Sequence, residues 1–95
     1  MIFVINNLKY DTDKMELISD KCEYTYTLAF SFKKMSSYGK DVKLWKSKKG
    51  NWLLTYRTDY QLIRGVKLSD EDVKKLLMKY DLPKYEELFG ELEEA

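Results

Sequence analysis

The clearest pattern in the chain is a two-residue alternation over residues 24–33. Alternation with this period is typical of a β-strand that buries one face. We therefore predict one strand of ten residues here, with its aromatic face in the core. Large apolar residues occupy every second position and small or polar residues the others: Tyr24, Tyr26, Leu28, Phe30 and Phe32 alternate with Thr25, Thr27, Ala29, Ser31 and Lys33.

The N-terminal segment predicts a small hairpin. The apolar run Ile2–Ile5 ends at Asn6 and Asn7, and residues 8–10 follow. Asn tolerates the positive φ that a two-residue hairpin turn requires, so we place the turn at these two residues. Residues 14–18 fit either one helical turn or a short strand.

The middle of the chain predicts a second hairpin. Residues 42–46 and 52–57 have strand character and flank a lysine-rich turn that contains a glycine. Residues 36–41 are interpreted as a loop, because they combine Ser, Gly and Asp. Residues 60–64 are predicted to add a further strand, with Gly65 as the break that follows it.

The C-terminal third has the pattern of helices. Ser69 supplies a capping hydroxyl and Asp72 a carboxylate three residues later, which is typical of a helix N-terminus. A helix is predicted over residues 70–80, and Pro83 then interrupts it and begins a second short helix over residues 84–89, which a glycine ends. One apolar stripe follows the first helix at helical spacing: Val73, Leu76, Leu77 and Tyr80.

Together these elements predict a single α+β domain over residues 1–95. Residues 1–67 are mainly a twisted antiparallel sheet of four to six strands. Residues 69–90 form one main helix and a second short helix, which lie on one face or end of the sheet. Residues 91–95 are an acidic tail. Eight Tyr, four Phe and two Trp among 95 residues are enough to bury one modest core.

Residue counts exclude several kinds of chemistry. The chain has no His and one Cys, so a His-containing zinc site, a Cys-His or Ser-His pair and an internal disulfide are excluded. We interpret Cys22 as a small buried side chain rather than a reactive thiol. No stretch approaches the roughly 20 apolar residues of a membrane span. The expected location is the cytoplasm, with no cofactor and no membrane partner.

Charge is strongly regional although the net charge is only +1. Residues 33–67 contain ten Lys or Arg against Asp41 and Asp59, a local net charge of +8. Residues 1–32 have a net charge of −2, and residues 68–95 have a net charge of −5. The basic excess therefore lies on the middle strands.

The second hairpin carries the candidate contact residues. Alternation places Lys43 and Trp45 on the face opposite Val42 and Leu44. Two interpretations are open: lysines beside an aromatic contact phosphates and stack a base, or they keep a sheet edge soluble. Arg57 could extend the basic surface or pair with the acidic helices. The candidates are Lys43, Trp45, Lys46, Lys48, Lys49 and Arg57.

The acidic C-terminal end also has two interpretations. It is either a solvated helix end or a phosphate-like surface for a basic cleft. Carboxylates alone can bind magnesium for nuclease chemistry, but no compact set of Asp, Glu and Lys stands out. The acidic residues concerned are Glu86, Glu87, Glu91, Glu93 and Glu94.

Four segments carry a resemblance to a known family. They contain the patterns YDT, K-x-G-x-W, LS followed by acidic residues, and YEELFG, at residues 5–13, 48–54, 68–72 and 85–90. In this pattern the chain resembles small proteins that phages and other mobile elements of low-GC Gram-positive bacteria carry. Many of those proteins have a glycine-rich stretch where this chain has Tyr-Arg-Thr-Asp-Tyr at residues 56–60.

Some members of that family resemble anti-CRISPR proteins directed at Cas9-type effectors. The resemblance implies a non-enzymatic inhibitor that binds the effector protein or its guide RNA and blocks assembly or target engagement. A generic module that binds single-stranded nucleic acid or a protein, and a metal-dependent nuclease, are the alternatives. A monomer and a homodimer are both open, because an exposed edge strand can pair with a second copy.

Overall fold

A four-stranded antiparallel sheet forms the centre of the protein, whose computed structural model describes residues 1–30 and 33–95. The strands and helices are, in chain order, β1 (Ile2–Ile5), β2 (Leu8–Asp11), a 3₁₀ turn (Thr12–Lys14), β3 (Glu16–Ser19), β4 (Thr25–Phe30), β5 (Lys33–Tyr38), β6 (Lys40–Lys46), β7 (Trp52–Arg57), β8 (Ile63–Leu68), α1 (Asp70–Tyr80) and α2 (Leu82–Phe89).

The central sheet has the strand order β3-β6-β7-β8, and every pairing in it is antiparallel. Strands β1 and β2 form a separate hairpin, and so do β4 and β5. The α+β class is therefore confirmed. The sheet itself has four strands, and the other strands form the two hairpins packed beside it. Neither described helix is long and apolar enough to cross a membrane.

The main core lies between the central sheet and α1. Leu44 of β6 and Leu54 of β7 are almost fully buried against Val73 and Leu77 of α1, which are fully buried. Tyr26 of β4 continues this core at one end, and its ring stacks on that of Tyr56 at a centroid distance of 5.1 Å. One face of the sheet is thus covered by α1 and by tyrosines.

The β1–β2 hairpin covers part of the opposite face. Leu53 of β7 is fully buried there, and the Phe3 ring packs against Gly65 of β8. A Cβ at Gly65 would lie 2.9 Å from Phe3 Cδ1, so only a glycine admits the ring at this position. The prediction that Gly65 ends a strand at residue 64 was wrong. The strand runs through the glycine, which serves close packing instead of a turn.

We expect Gly65→Ala to lower the free energy of unfolding by about 1–3 kcal/mol, because the added methyl group overlaps the Phe3 ring. Urea denaturation measures the change. The matched background is Phe3→Ala, in which the overlap is gone and Gly65→Ala should be close to neutral. An equal loss of stability in both backgrounds would show that the ring is not the cause.

Several local predictions are confirmed. The first hairpin turns at Asn6 and Asn7, whose φ values of 51° and 65° are both positive. The ambiguous segment at residues 14–18 is mainly strand, since β3 follows directly after the 3₁₀ turn. Ser69 and Asp72 form a reciprocal capping box at the start of α1. A glycine with a φ of 98° follows α2.

The loop predicted at residues 36–41 was wrong. Most of this segment is strand, because β5 pairs with β4 along its whole length and β6 begins at Lys40. Gly39 is again a packing position, where a Cβ would lie 2.9 Å from Tyr56 Cβ. Ser36, Ser37 and Tyr38 lie opposite Thr27, Tyr26 and Thr25 in the β4–β5 ladder, and this strand pairing outweighs the loop character of the residues.

The prediction of one ten-residue strand over residues 24–33 was wrong, because β4 ends at Phe30 and Lys33 begins β5, which pairs antiparallel with β4. Strand β4 covers six of its residues. Tyr26 is buried and Tyr24 half-buried, as expected for the aromatic face. The predictions for Ser31 and Phe32, and for the side chains at residues 28–30 and 33, lie outside the described part of the chain.

Candidate functional site

The six candidate contact residues lie in three different places. Lys48 and Lys49 are exposed on the turn between β6 and β7. A groove on the sheet face opposite α1 is lined by Lys43, Trp45 and Arg57. Strand alternation predicted this face for Lys43 and Trp45. Lys46 alone lies on the α1 face. The six candidate residues therefore do not form one continuous surface.

The β6–β7 turn is held by a compact set of hydrogen bonds. The Ser47 N–H donates to the Asn51 carbonyl at 2.8 Å, and the Gly50 N–H donates to the Ser47 carbonyl at 2.9 Å. The Asn51 N–H also donates to the Ser47 hydroxyl oxygen at 3.0 Å. Gly50 has a φ of 87°, which favours glycine. The two lysines take no part in these bonds, so their ammonium groups are available to a ligand.

A cleft of about 400 Å³ separates this turn from β2 and the 3₁₀ turn. Four of its residues are lysines, two from each side, and we call it the lysine cleft. Asp11 is the single acidic residue among those lining it, and its carboxylate accepts a hydrogen bond from the Asp13 N–H. The cleft is lined by Leu8, Lys9, Tyr10, Asp11, Lys14, Met15, Ser47, Lys48, Lys49 and Asn51.

Strand pairing explains why lysines from distant parts of the chain meet here. Glu16 of β3 lies opposite Lys46 of β6 in an antiparallel pair. Lys14 precedes Glu16 by two residues and Lys48 follows Lys46 by two, so the antiparallel direction brings both lysines to the same end of the sheet. Lys9 comes from β2, whose neighbouring residues also line the cleft. The lysine cleft therefore depends on tertiary contacts between segments that are distant in sequence.

Tyr10 is the most buried residue of the lysine cleft. Its side chain is only 2% exposed, and its hydroxyl has no hydrogen-bond partner among the residues that the structure describes. Buried hydroxyls are nearly always paired, and an unpaired one is destabilising by about 1–3 kcal/mol. The Tyr10 hydroxyl is itself buried, and the described protein atoms use neither its donor nor its acceptor.

The second groove, of about 290 Å³, contains the aromatic candidate. The half-buried Trp45 donates its indole N–H to the Thr55 hydroxyl oxygen at 2.9 Å, which holds the ring in place. Arg57 pairs with Asp41 of the neighbouring β6 at 2.5 Å, and not with the acidic helices. Lys43 is exposed beside them. Lys14 lines the lysine cleft and Thr12, two residues earlier in the same 3₁₀ turn, lines the groove.

Lys46 has a packing role on the other face. Its Nζ lies 5.0 Å from the centre of the Trp52 ring, a cation–π distance. Trp52 is buried and donates its indole N–H to an Asp70 carboxylate oxygen at 2.7 Å. Lys46 thus covers a core tryptophan near the start of α1. It lies on the opposite face of the sheet from Lys43 and Trp45, the two groove residues of the same strand.

Cys22 lies in the core, as expected. Burial, as the largest cause, raises the pKa of its thiol, and the Ser19 hydroxyl 3.8 Å away partly opposes this. The thiol is therefore protonated at neutral pH, which disfavours reaction as a nucleophile.

The acidic tail at residues 91–95 is exposed. No group of three or more Cys, Asp or Glu suited to a metal ion occurs in residues 1–30 and 33–95.

Sequence reasoning missed three residues of the lysine cleft. Lys9 and Lys14 lie in a segment whose net charge is negative, and Tyr10 has no feature in the sequence that separates it from the seven other tyrosines. The pairing of β3 with β6 brings Lys14 beside the turn, whereas Lys9 and Tyr10 are brought there on β2 of the β1–β2 hairpin. A sequence signal for that pairing is weak, since β3 is a strand of four residues.

No family model, curated protein or solved structure gives a significant match to this chain. The resemblance to mobile-element proteins stays a prediction.

Proposed function

We propose that this protein is a non-enzymatic inhibitor that binds the guide RNA of a Cas9-type effector through the lysine cleft and blocks assembly of the effector in the bacterial cytoplasm. The observation that carries the proposal is the convergence of Lys9, Lys14, Lys48 and Lys49 on one cleft with a single carboxylate. The choice of target rests on the family resemblance of the sequence.

The chemistry of the cleft favours RNA over a protein surface. Lysine ammonium groups bind phosphates as point charges. Several lysines that contact successive phosphates of one nucleic-acid strand release the condensed counterions, which increases the affinity. Single-stranded RNA is also held by stacking of bases on aromatic rings. The half-buried Trp45 lies in the neighbouring groove, and the segment at residues 11–15 supplies Lys14 to the cleft and Thr12 to the groove. A strand that crosses this segment would meet phosphate contacts first and an indole next.

A second candidate function is a general module for single-stranded nucleic acid. One observation favours it: the basic residues of the cleft are all lysines, which contact phosphates without reading sequence. This candidate predicts equal affinity for the guide RNA and for an unrelated RNA of the same length. The inhibitor predicts tighter binding of the guide, because a folded RNA presents phosphates in a fixed arrangement.

An order-of-addition assay tests the proposed function. Cleavage of a matched DNA by Cas9 is measured with the protein added either before or after the guide RNA. We expect inhibition when the protein is added first, and little inhibition once the effector holds its guide. Equal inhibition in both orders would indicate a block of target binding and contradict the assembly mechanism. Full cleavage in both orders would leave only the general module.

A further inference from the structure

The outer edge of β8 is a free edge of the central sheet. The strand order β3-β6-β7-β8 gives β8 no second neighbour in the part of the chain that the structure describes. It pairs with β7 in one unbroken register over all six of its residues. The other edge strand, β3, has four residues and an irregularity between Leu17 and Ser19, which disfavours further pairing. β8 is therefore the edge that suits another strand.

The β7–β8 turn shows which backbone groups of β8 point outward. The Thr58 N–H donates to the Leu62 carbonyl at 2.8 Å, so these residues form a hydrogen-bonded pair of the antiparallel ladder. Such pairs recur at every second residue, which assigns the even-numbered residues of β8 to β7. The β6–β7 turn sets the same alternation, because its closing bond assigns the odd-numbered residues of β7 to β6. The N–H and C=O groups that point away from β7 are those of Ile63, Gly65 and Lys67.

The β1–β2 hairpin lies over the sheet and not along this edge. A Cβ at Gly65 would point out of the plane of the sheet, and it would meet the Phe3 ring. Phe3 therefore packs on the face of β8. The described pairings also place β1 and β8 in different sheets. The side chains at the start of the edge are exposed, Leu62 by 52% and Ile63 by 44%.

A second copy of β8 matches this edge in one antiparallel register. With Gly65 opposite Gly65, Ile63 of each copy lies opposite Lys67 of the other, and every outward N–H and C=O group of the strand has a partner. A register shifted by two residues brings either Ser69 or Gln61 into the ladder. The Ser69 N–H already donates within the capping box of α1, and Gln61 has a φ of 63°, which is not extended.

The side chains are compatible with the same register. It places Leu62 opposite Leu68, and Arg64 opposite Val66, so the exposed leucine gains an apolar neighbour. Charged side chains on an edge strand often block pairing between copies. Here Lys67 lies opposite an isoleucine, and no two like charges are directly opposite each other.

We propose that two copies of this protein form a dimer through antiparallel pairing of β8 with β8, with Gly65 at the two-fold axis. The two central sheets then form one continuous sheet of eight strands. None of the residues that line the lysine cleft is on β8, so the contact is separate from the proposed function and each dimer carries two clefts.

Lys67→Pro tests the backbone contact. Proline removes one outward N–H of β8 and leaves the bonds to β7, whereas the control Lys67→Ala keeps the N–H. Sedimentation equilibrium measures the mass. We expect the wild type and Lys67→Ala to approach twice the chain mass of 11.4 kDa as concentration rises, and Lys67→Pro to stay a folded monomer by circular dichroism.

The sign of a charge at position 63 tests the register. Ile63→Glu places a carboxylate opposite Lys67 of the second copy twice per dimer, and Ile63→Lys places an ammonium group there. We expect the dissociation constant of the dimer to be about ten-fold lower for Ile63→Glu than for Ile63→Lys. The control is Leu17→Glu against Leu17→Lys on β3, an exposed position at the opposite edge, where the sign should make no difference.

Three results would overturn the contact. A wild-type protein that stays monomeric up to about 1 mM excludes the second copy and leaves the edge to a strand of another protein. A dimer that Lys67→Pro does not weaken has its interface elsewhere. Equal dissociation constants for the two Ile63 variants, or the same dependence on sign at Leu17, contradict the register. If Lys67→Pro fails to fold, the Ile63 variants decide, because they leave the backbone unchanged.

Discussion

Charge reversal at Lys48 and Lys49 is expected to weaken binding of guide RNA about 100-fold, or about 2.7 kcal/mol. In the proposed complex each lysine makes a charged contact to phosphate, and each glutamate would replace that contact with repulsion. Both residues are exposed, and the hydrogen bonds of their turn use Ser47, Gly50 and Asn51. The double variant should therefore fold normally. Fluorescence anisotropy with labelled guide RNA measures the loss.

The control for this variant is Lys75→Glu/Lys79→Glu, which changes the net charge equally on the exposed surface of α1. It should retain nearly all of the affinity. The slope of log K against log salt should fall by about 1.4 for the cleft variant, since each phosphate contact on a single strand contributes about 0.7. Equal losses in both variants would mean that net charge, and not the cleft, governs binding.

Asp81→Ala is expected to lower the free energy of unfolding by about 2–4 kcal/mol. Asp81 is 6% exposed at the junction of α1 and α2. One of its carboxylate oxygens accepts a hydrogen bond from the Ser19 hydroxyl at 2.6 Å, and the other accepts one from the Lys84 N–H at 3.4 Å. The substitution removes the cap of α2 and leaves the Ser19 hydroxyl without this acceptor. Urea denaturation measures the effect.

Comparison with Ser19→Ala divides this effect into its two parts. Ser19→Ala removes the hydrogen bond between β3 and the helix junction but leaves the cap of α2. It should therefore be the less destabilising single change, and the double variant should be less destabilised than the two single changes added together. Additive losses would show that the two side chains are not coupled. An Asp81→Ala variant as stable as the wild type would contradict the role of the junction.

The elements that local chemistry determines could be predicted from the sequence. The Asn6–Asn7 turn follows from two residues that tolerate positive φ, and α1 follows from its capping box and apolar stripe. Lys43 and Trp45 lie on the predicted face because a strand alternates strictly. In each case the cause lies within a few residues of the effect.

The failures arise where distant residues decide the structure. Gly39 was interpreted as part of a loop and Gly65 as a break, but each packs against an aromatic side chain of another strand. Lys9 and Lys14 were not candidates, because their position beside the β6–β7 turn depends on the packing of the β1–β2 hairpin and on the pairing of β3 with β6. The charge count along the sequence assigned these two lysines to an acidic segment, whereas the fold places them in the lysine cleft beside Lys48 and Lys49.

The most direct measurement is an NMR titration of the ¹⁵N-labelled protein with guide RNA, which locates the contact surface residue by residue. The proposed function predicts the largest amide shifts at Lys9, Tyr10, Lys14, Lys48 and Lys49, with smaller shifts at Trp45. The acidic tail at residues 91–95 should be unaffected. Shifts confined to other surfaces, or no shifts at saturating RNA, would contradict the lysine cleft as the RNA-binding site.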